Sequence, residues 1–310
     1  MNRTFLATRV LFTVPLVMYV AMFAPSVCFS QTETASATSF AVGRGPGAVV
    51  FDGSNIWVAN QFGDSVTKLR ASDGLNLGTI ATGVRPSALA FDGNSIWVAN
   101  KFSNNVMKLR ATDGALLQTI QVGQGPEGLA VDGTNLWVAN GGDGTVTKLR
   151  LSDGAKLGTF AVGSRPIALA FDGANIWVAN NDSNTVTKLR AKDGVNLGTF
   201  RAGRRPAGIA FDGINLCVTN FYGKSVTRLR AIDGALVDKL AVGDGPSSIA
   251  FVGGYIWVAN YGGGSVSRIA PGGSVINTYP VGKTPAGVTS DGASIWVANG
   301  SSNSVSRVIL

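Results

Sequence analysis

The chain has 310 residues, of which 45% are hydrophobic and 14% charged, with 41 glycines and a net charge of +8. That length is enough to bury a large core, and abundant glycine with sparse charge points to many tight turns joining apolar segments, an all-β composition. There is no histidine, which excludes the commonest acid–base side chain near neutral pH, histidine-ligated metal and haem sites, and serine-hydrolase triads with their usual base.

The N-terminus has its own pattern. Arg3 and Arg9 precede a 15-residue apolar run at 10–24, interrupted by Pro15 and followed by small polar residues. This is the three-part layout of a secretory signal peptide, expected over 1–30 with cleavage as late as 37. The run is short of the roughly 20 residues that a membrane span needs. Two alternatives are a lipoprotein anchored through Cys28, against which Val27 precedes the cysteine, and an uncleaved anchor. The expected location is secreted or periplasmic, with no stable membrane insertion after the signal is removed. Without Arg3 and Arg9 the 26 basic residues become 24 against 18 acidic ones, a net charge of +6. That modest charge and export argue against nucleic acid as a partner. Only Cys217 then remains, so no intramolecular disulfide can form.

From residue 38 the chain is a repeat. Ile56-Trp57-Val58-Ala59-Asn60 returns, exact or nearly so, six more times at a spacing of 40 residues and finally 39. Trp57, Trp97, Trp137, Trp177, Trp257 and Trp296 are all in this motif; Cys217 takes the place of the seventh. One unit, 45–83, reads as four short runs rich in β-branched and aromatic residues and bounded by turn signals: 47–51, 55–60, 65–70 and 77–81. Asp52-Gly53 and Asp73-Gly74 are hairpin signals, because glycine adopts the required backbone angles cheaply. Four antiparallel strands per 40 residues is the size of a propeller blade.

The second run is apolar on both faces, unlike a strand with one wet face. Blades stacked round an axis bury both faces, and the indole fits between neighbours as a wedge. The seventh unit ends within its third strand, while Ser39-Phe40-Ala41-Val42 precedes the first unit. The predicted fold is all-β: a seven-bladed β-propeller of four-stranded antiparallel blades, residues 38–310, with the N-terminal strand completing the last blade.

The repeat resembles the YVTN-type β-propellers, whose second strand ends in a Val-Thr-Asn signature. Cys217-Val218-Thr219-Asn220 is nearest to it, and the other copies carry Val-Ala-Asn. The chain is similar, more distantly, to NHL-repeat propellers and virginiamycin B lyases. The resemblance implies a scaffold and carries no lyase activity over, because no position matches the catalytic histidine associated with those lyases.

Positions constant in every repeat are expected to be scaffold. Asn60, Asn100, Asn140, Asn180, Asn220, Asn260 and Asn299 are expected to hold the strand two–three loop through local backbone hydrogen bonds. The turn aspartates lack calcium-loop spacing and are read as turn chemistry. A basic pair in strand three (Lys68 and Arg70, with its repeats) is read as aliphatic stems covering neighbouring blades and heads reaching turn aspartates such as Asp73. Cys217 is read as a small hydrophobe that leaves slack in blade five.

Antiparallel order puts the two variable sets of loops at one end. The blade-to-blade loops carry Arg44, Arg85, Arg165, Arg204, Arg205 and Lys283, with Glu127 close by at the mouth of the axial channel. The strand two–three loops carry Phe62, Lys101, Phe102, Phe221, Tyr222 and Tyr261. Aromatic residues interleaved with arginine on loops of a rigid scaffold form a candidate ligand-binding face. No catalytic set, metal site or cofactor motif is read. The expected function is a non-catalytic binding or scaffold module taking a protein, a peptide or an anionic cell-envelope ligand. The alternative is a carboxylate-based hydrolase or lyase assisted by a divalent metal at the channel mouth, around Glu127. The sequence does not specify an oligomeric state.

Overall fold

The computed structural model describes residues 37–310; the expected signal peptide, with Cys28, lies outside them. Seven four-stranded sheets make up the described residues, six of them in the simple chain order of their strands. Blade one is Pro46–Phe51, Asn55–Asn60, Ser65–Arg70 and Asn76–Ala81, and later blades repeat it with all pairings antiparallel. Strand one starts at the proline, a residue confined to strand starts and edges because it cannot donate to the ladder. The last blade takes Pro285–Ser290, Ser294–Asn299 and Ser304–Ile309 from the C-terminal end and Thr38–Ala41 from the N-terminal end. A short 3-10 turn, Gly300–Ser302, is an addition that the repeat does not foreshadow.

Strand two is buried in every blade, and its six tryptophans lie among the largest fully buried side chains. Each indole packs into the next blade: Trp137 lies against Leu169, Ile176, Val178 and Leu189. The repeat also contains a bond that the sequence does not advertise. The turn aspartate accepts two backbone N–H bonds through one oxygen and the indole N–H through the other. In blade one Asp52 takes Ser54 N at 2.9 Å, Asn55 N at 2.6 Å and Trp57 Nε1 at 2.7 Å. Trp97, Trp137, Trp177 and Trp296 are held alike by Asp92, Asp132, Asp172 and Asp291.

Two blades break this pair from opposite sides. In blade five Asp212 remains but faces Cys217 Sγ at 3.8 Å. Burial pushes the thiol strongly upward, with the Asp212 charge adding to it, so Cys217 is an inert small hydrophobe. It packs with Val226, Ile249 and Ile256, the positions that surround the tryptophan in other blades. Arg228, standing where most blades have the lysine, donates Nε to Asp238 at 2.8 Å. In blade six Val252 replaces the aspartate, strand one runs on through a two-glycine turn, and the buried Trp257 Nε1 has no partner.

Two expectations about constant residues need correction. The repeated asparagine bonds mainly to side chains: Asn60 Nδ2 donates to Ser65 Oγ at 3.1 Å and Thr67 Oγ1 at 2.9 Å. All seven are fully buried, so the amide ties strand two to strand three inside the blade. The strand-three basic pair also divides. Its arginine reaches the turn aspartate as expected, Arg150 to Asp153 at 2.8 Å. Its lysine goes elsewhere: Lys148 Nζ lies 5.0 Å from its own Trp137 ring and donates to Ala191 O of the next blade at 2.7 Å. Lys68, Lys108 and Lys188 repeat that bridge.

These turns make stability sensitive to acid. Burial raises Asp52, Asp132 and Asp172, but their indole, asparagine and backbone donors outweigh it and hold them below the ordinary carboxylate value. Arg70 and Arg230 hold the exposed Asp73 and Asp233 at about 2. A carboxylate depressed in the folded state stabilises above its unfolded pKa and loses that contribution as pH falls through the folded value. The melting temperature should be flat from pH 7 to about 5 and fall between about 4 and 2. Added salt should weaken only the exposed Arg–Asp part. A melt unchanged down to pH 2 would contradict this account.

Candidate functional site

The two variable sets of loops share one end of the propeller. Gln61 N donates to Gly45 O and Phe62 N to Arg44 O, which binds each strand two–three loop to the connector entering its blade. The next connector is clamped by the loop behind it: Asp64 Oδ1 accepts from Arg85 N at 2.8 Å, and Asn104 and Asn184 repeat this for Gly125 and Arg205. At the ring closure Asn303 Oδ1 accepts from Gly45 N at 2.8 Å.

The residue before each strand-one proline has a left-handed backbone. Gly45, Gly125 and Gly245 fill it in three blades, with φ of 64°, 60° and 61°. Arg85, Arg165 and Arg205 fill it at 58°, 51° and 56°, and Thr284 at 53°. A side chain there costs roughly 1–2 kcal/mol. At Gly45 the absent side chain also makes room, because a Cβ would overlap the Phe62 ring.

The first strands line the axis with mostly small residues, among them Gly128, Ala168, Gly208 and Gly287, around a channel of about 240 Å³. Glu127 lies in its wall, as expected, yet it is not a lone carboxylate. Its Oε1 lies 3.0 Å from Lys101 Nζ and 3.3 Å from Arg165 Nε. Asp182 continues the chain of charges, 4.0 Å from Arg165 Nη1 and directly paired with Arg205. Arg205 also donates to Asn181 Oδ1 at 2.9 Å. Lys101, Glu127, Arg165, Asp182 and Arg205 therefore form one alternating network in which the acids largely neutralise the bases. Phe221, Tyr222 and Tyr261 stack beside it, at centroid distances of 5.3 and 5.7 Å from Phe221. Arg165, Asn181, Arg205, Phe221 and Tyr222 border a cleft of about 300 Å³.

The other side of the mouth is different. Arg85 lies between Phe62 and Phe102, its guanidinium 5.3 and 5.1 Å from their centroids. Phe62 and Phe102 are about 60% exposed. Arg44, Gln61, Phe62, Arg85, Tyr261 and Ser301 border a second cleft of about 450 Å³. Among the described residues Arg44, Arg85, Arg204 and Lys283 take part in no ion pair. The candidate residues thus share a face but differ in compensation: Arg165 and Arg205 at one cleft face carboxylates, Arg44 and Arg85 at the other face none, and the unpaired Arg204 borders neither cleft. Gln61 and Asn181 were missed in the sequence. The signal was the position after the constant asparagine, which varies as Gln61, Lys101, Gly141, Asn181, Phe221, Tyr261 and Gly300. Among the described residues no three His, Cys, Asp or Glu side chains gather as a metal ion would need.

No family model matches the chain, and no curated protein matches it in sequence. Its fold has solved neighbours. A hydrazine synthase chain of Kuenenia stuttgartiensis is similar at a TM-score of 0.78, with 20% identity over 86% of this chain and 96% of that one. A catalytically inactive virginiamycin B lyase from Staphylococcus aureus, solved with quinupristin, also reaches 0.78, with 17% identity over 89% and 99%. U3-55K gives 0.78 with 16% identity over 90% and 99%. At such identities the likeness is one of fold, a seven-bladed β-propeller shared by proteins with different names and roles.

Proposed function

We propose that this is an exported, non-catalytic binding propeller of the YVTN type, whose loop face takes an anionic ligand presented by a protein, a peptide or the cell envelope. The observation that carries the reading is the left-handed connector position. Three blades relax it with glycine, while three others keep arginine there at a backbone cost. Strain retained on a surface where a cheaper residue serves the fold suggests a use for the side chain. Exposed aromatic residues beside those arginines are the types that dominate binding hot spots. Glu127, the carboxylate on which the hydrolase or lyase reading rests, is engaged by Lys101 and Arg165, which does not favour that reading. Export rests on the leader pattern of residues 1–30. The test is a titration of the chain from residue 37 onward with polyglutamate and polylysine. Polyglutamate should bind at low salt and weaken as salt rises, whereas equal affinity for the two polymers would defeat the reading.

A further inference from the structure

Taking the loop face as the anion-binding face, we infer that the anion seats beside Arg44 and Arg85, in the cleft formed by blades six, seven, one and two, and that its natural occupant is an acidic peptide segment. Charge separates the two clefts. Across the mouth, Arg165 and Arg205 already face Glu127 and Asp182, so a new carboxylate there must displace an existing one. Arg44 and Arg85 pair with no carboxylate. Asp64, whose Oδ1 accepts from the Arg85 backbone N–H, forms no ion pair with the guanidinium.

The guanidinium of Arg85 lies over two rings, 5.3 and 5.1 Å from their centroids. Contact with rings uses none of the N–H groups as conventional donors, and these grip a carboxylate with two parallel hydrogen bonds. Rings that hold the fork in place also reduce the ordering cost of binding. The cleft, about 450 Å³, falls within the range of small-ligand pockets and suits a short peptide rather than a folded surface.

A peptide fits the remaining wall better than an acidic sugar does. Sugars present many hydroxyls and need many hydrogen-bonding partners, and here several are spent. Asn303 Oδ1 accepts from Gly45 N, and the Thr284 and Ser301 hydroxyls lie 2.9 Å apart, bonded to each other. The exposed Phe62 and Tyr261 of that wall instead offer apolar contact to a side chain next to the acid.

The test is calorimetric titration with a blocked tripeptide of glutamate, phenylalanine and glutamate, beside its glutamine analogue and trigalacturonate. The acidic peptide should bind at least tenfold more tightly than either. Arg85→Glu and Arg44→Glu should each weaken it at least tenfold, and Arg204→Glu less than threefold. Arg85→Gly separates binding from folding: it relaxes the left-handed backbone, so the melting temperature should hold or rise while peptide affinity falls. Retained affinity in Arg85→Gly, or an equal loss in Arg204→Glu, overturns the location. Tighter binding of trigalacturonate overturns the occupant. If wild-type protein binds no anionic probe even at low salt, the broader binding function fails as well.

Discussion

Removing residues 38–43 lowers the melting temperature by roughly 10–20 °C. The segment supplies the fourth strand of the last blade, with Thr38 paired to Arg307 and Ala41 to Ser304. Phe40 sits with its ring 5.4 Å from Trp296, in a cluster that also holds Ile56, Val58 and Leu69 of blade one. Losing the half-buried Phe40 together with the strand's backbone ladder costs about 3–5 kcal/mol, and each kcal/mol moves the midpoint of a domain this size by about 2–4 °C. The deletion also leaves strand three of blade seven as an open edge. Thermal melts of the intact and shortened chains measure this directly; a shift under about 3 °C, the equivalent of roughly 1 kcal/mol, would show that the segment does not close the ring.

A second large loss should follow Trp137→Ala, at about 3–5 kcal/mol. The indole is fully buried, tilted against Phe160 at 5.7 Å, and packed on blade four. Truncation leaves a cavity between two blades, takes the ring from beneath Lys148 Nζ, and removes one donor from Asp132. Trp137→Phe separates these effects, because it keeps most of the apolar volume and deletes the N–H. That variant should cost about 1.5–3 kcal/mol, the range for a hydrogen bond to a charged group. Asp132 keeps its bonds from Thr134 N and Asn135 N, which favours the lower end. Denaturant melts of the two variants give both numbers, and an alanine variant within about 1 kcal/mol of the parent would remove the wedge role.

The blade count, the closing strand and the burial of the tryptophans are legible in the sequence because each is periodic. Trp57 and its copies occur at fixed spacing, and burial on both faces follows from apolar residues on both faces of strand two. What escapes is whatever depends on how one blade leans on the next. Lys148 and Ala191 are 43 residues apart, and the repeat period does not reveal that the lysine passes the aspartates of its own blade for a carbonyl of its neighbour. The candidate face shows the same division. Strand order alone places Arg85, Phe62 and Phe102 at one end. It does not show that Lys101, Glu127 and Arg165, from three successive blades, meet at the mouth, because only the closeness of the inner strands brings them within about 3 Å. The partners of Glu127 are thus hidden by geometry, not by residue type.

The mixed last blade has a consequence for the order of assembly. Each of the first six blades forms from residues within about 40 positions of one another, so local pairing can begin in several places and spread to neighbours. Closure is a different event, because Asn303 and Gly45 meet across 258 residues of chain. The entropy of closing a loop grows only logarithmically with its length, so the finished ring gives up little at equilibrium, but pairings this distant slow the route to it. Strand three of every blade offers an edge much like the one that Ser39-Phe40-Ala41 must find. In the first six blades the adjoining strand four, such as Thr79-Ile80-Ala81, is nearby in sequence and occupies that edge first. In blade seven that edge is taken by the N-terminal segment, so the seam that closes the ring is the one pairing drawn from opposite ends of the described residues.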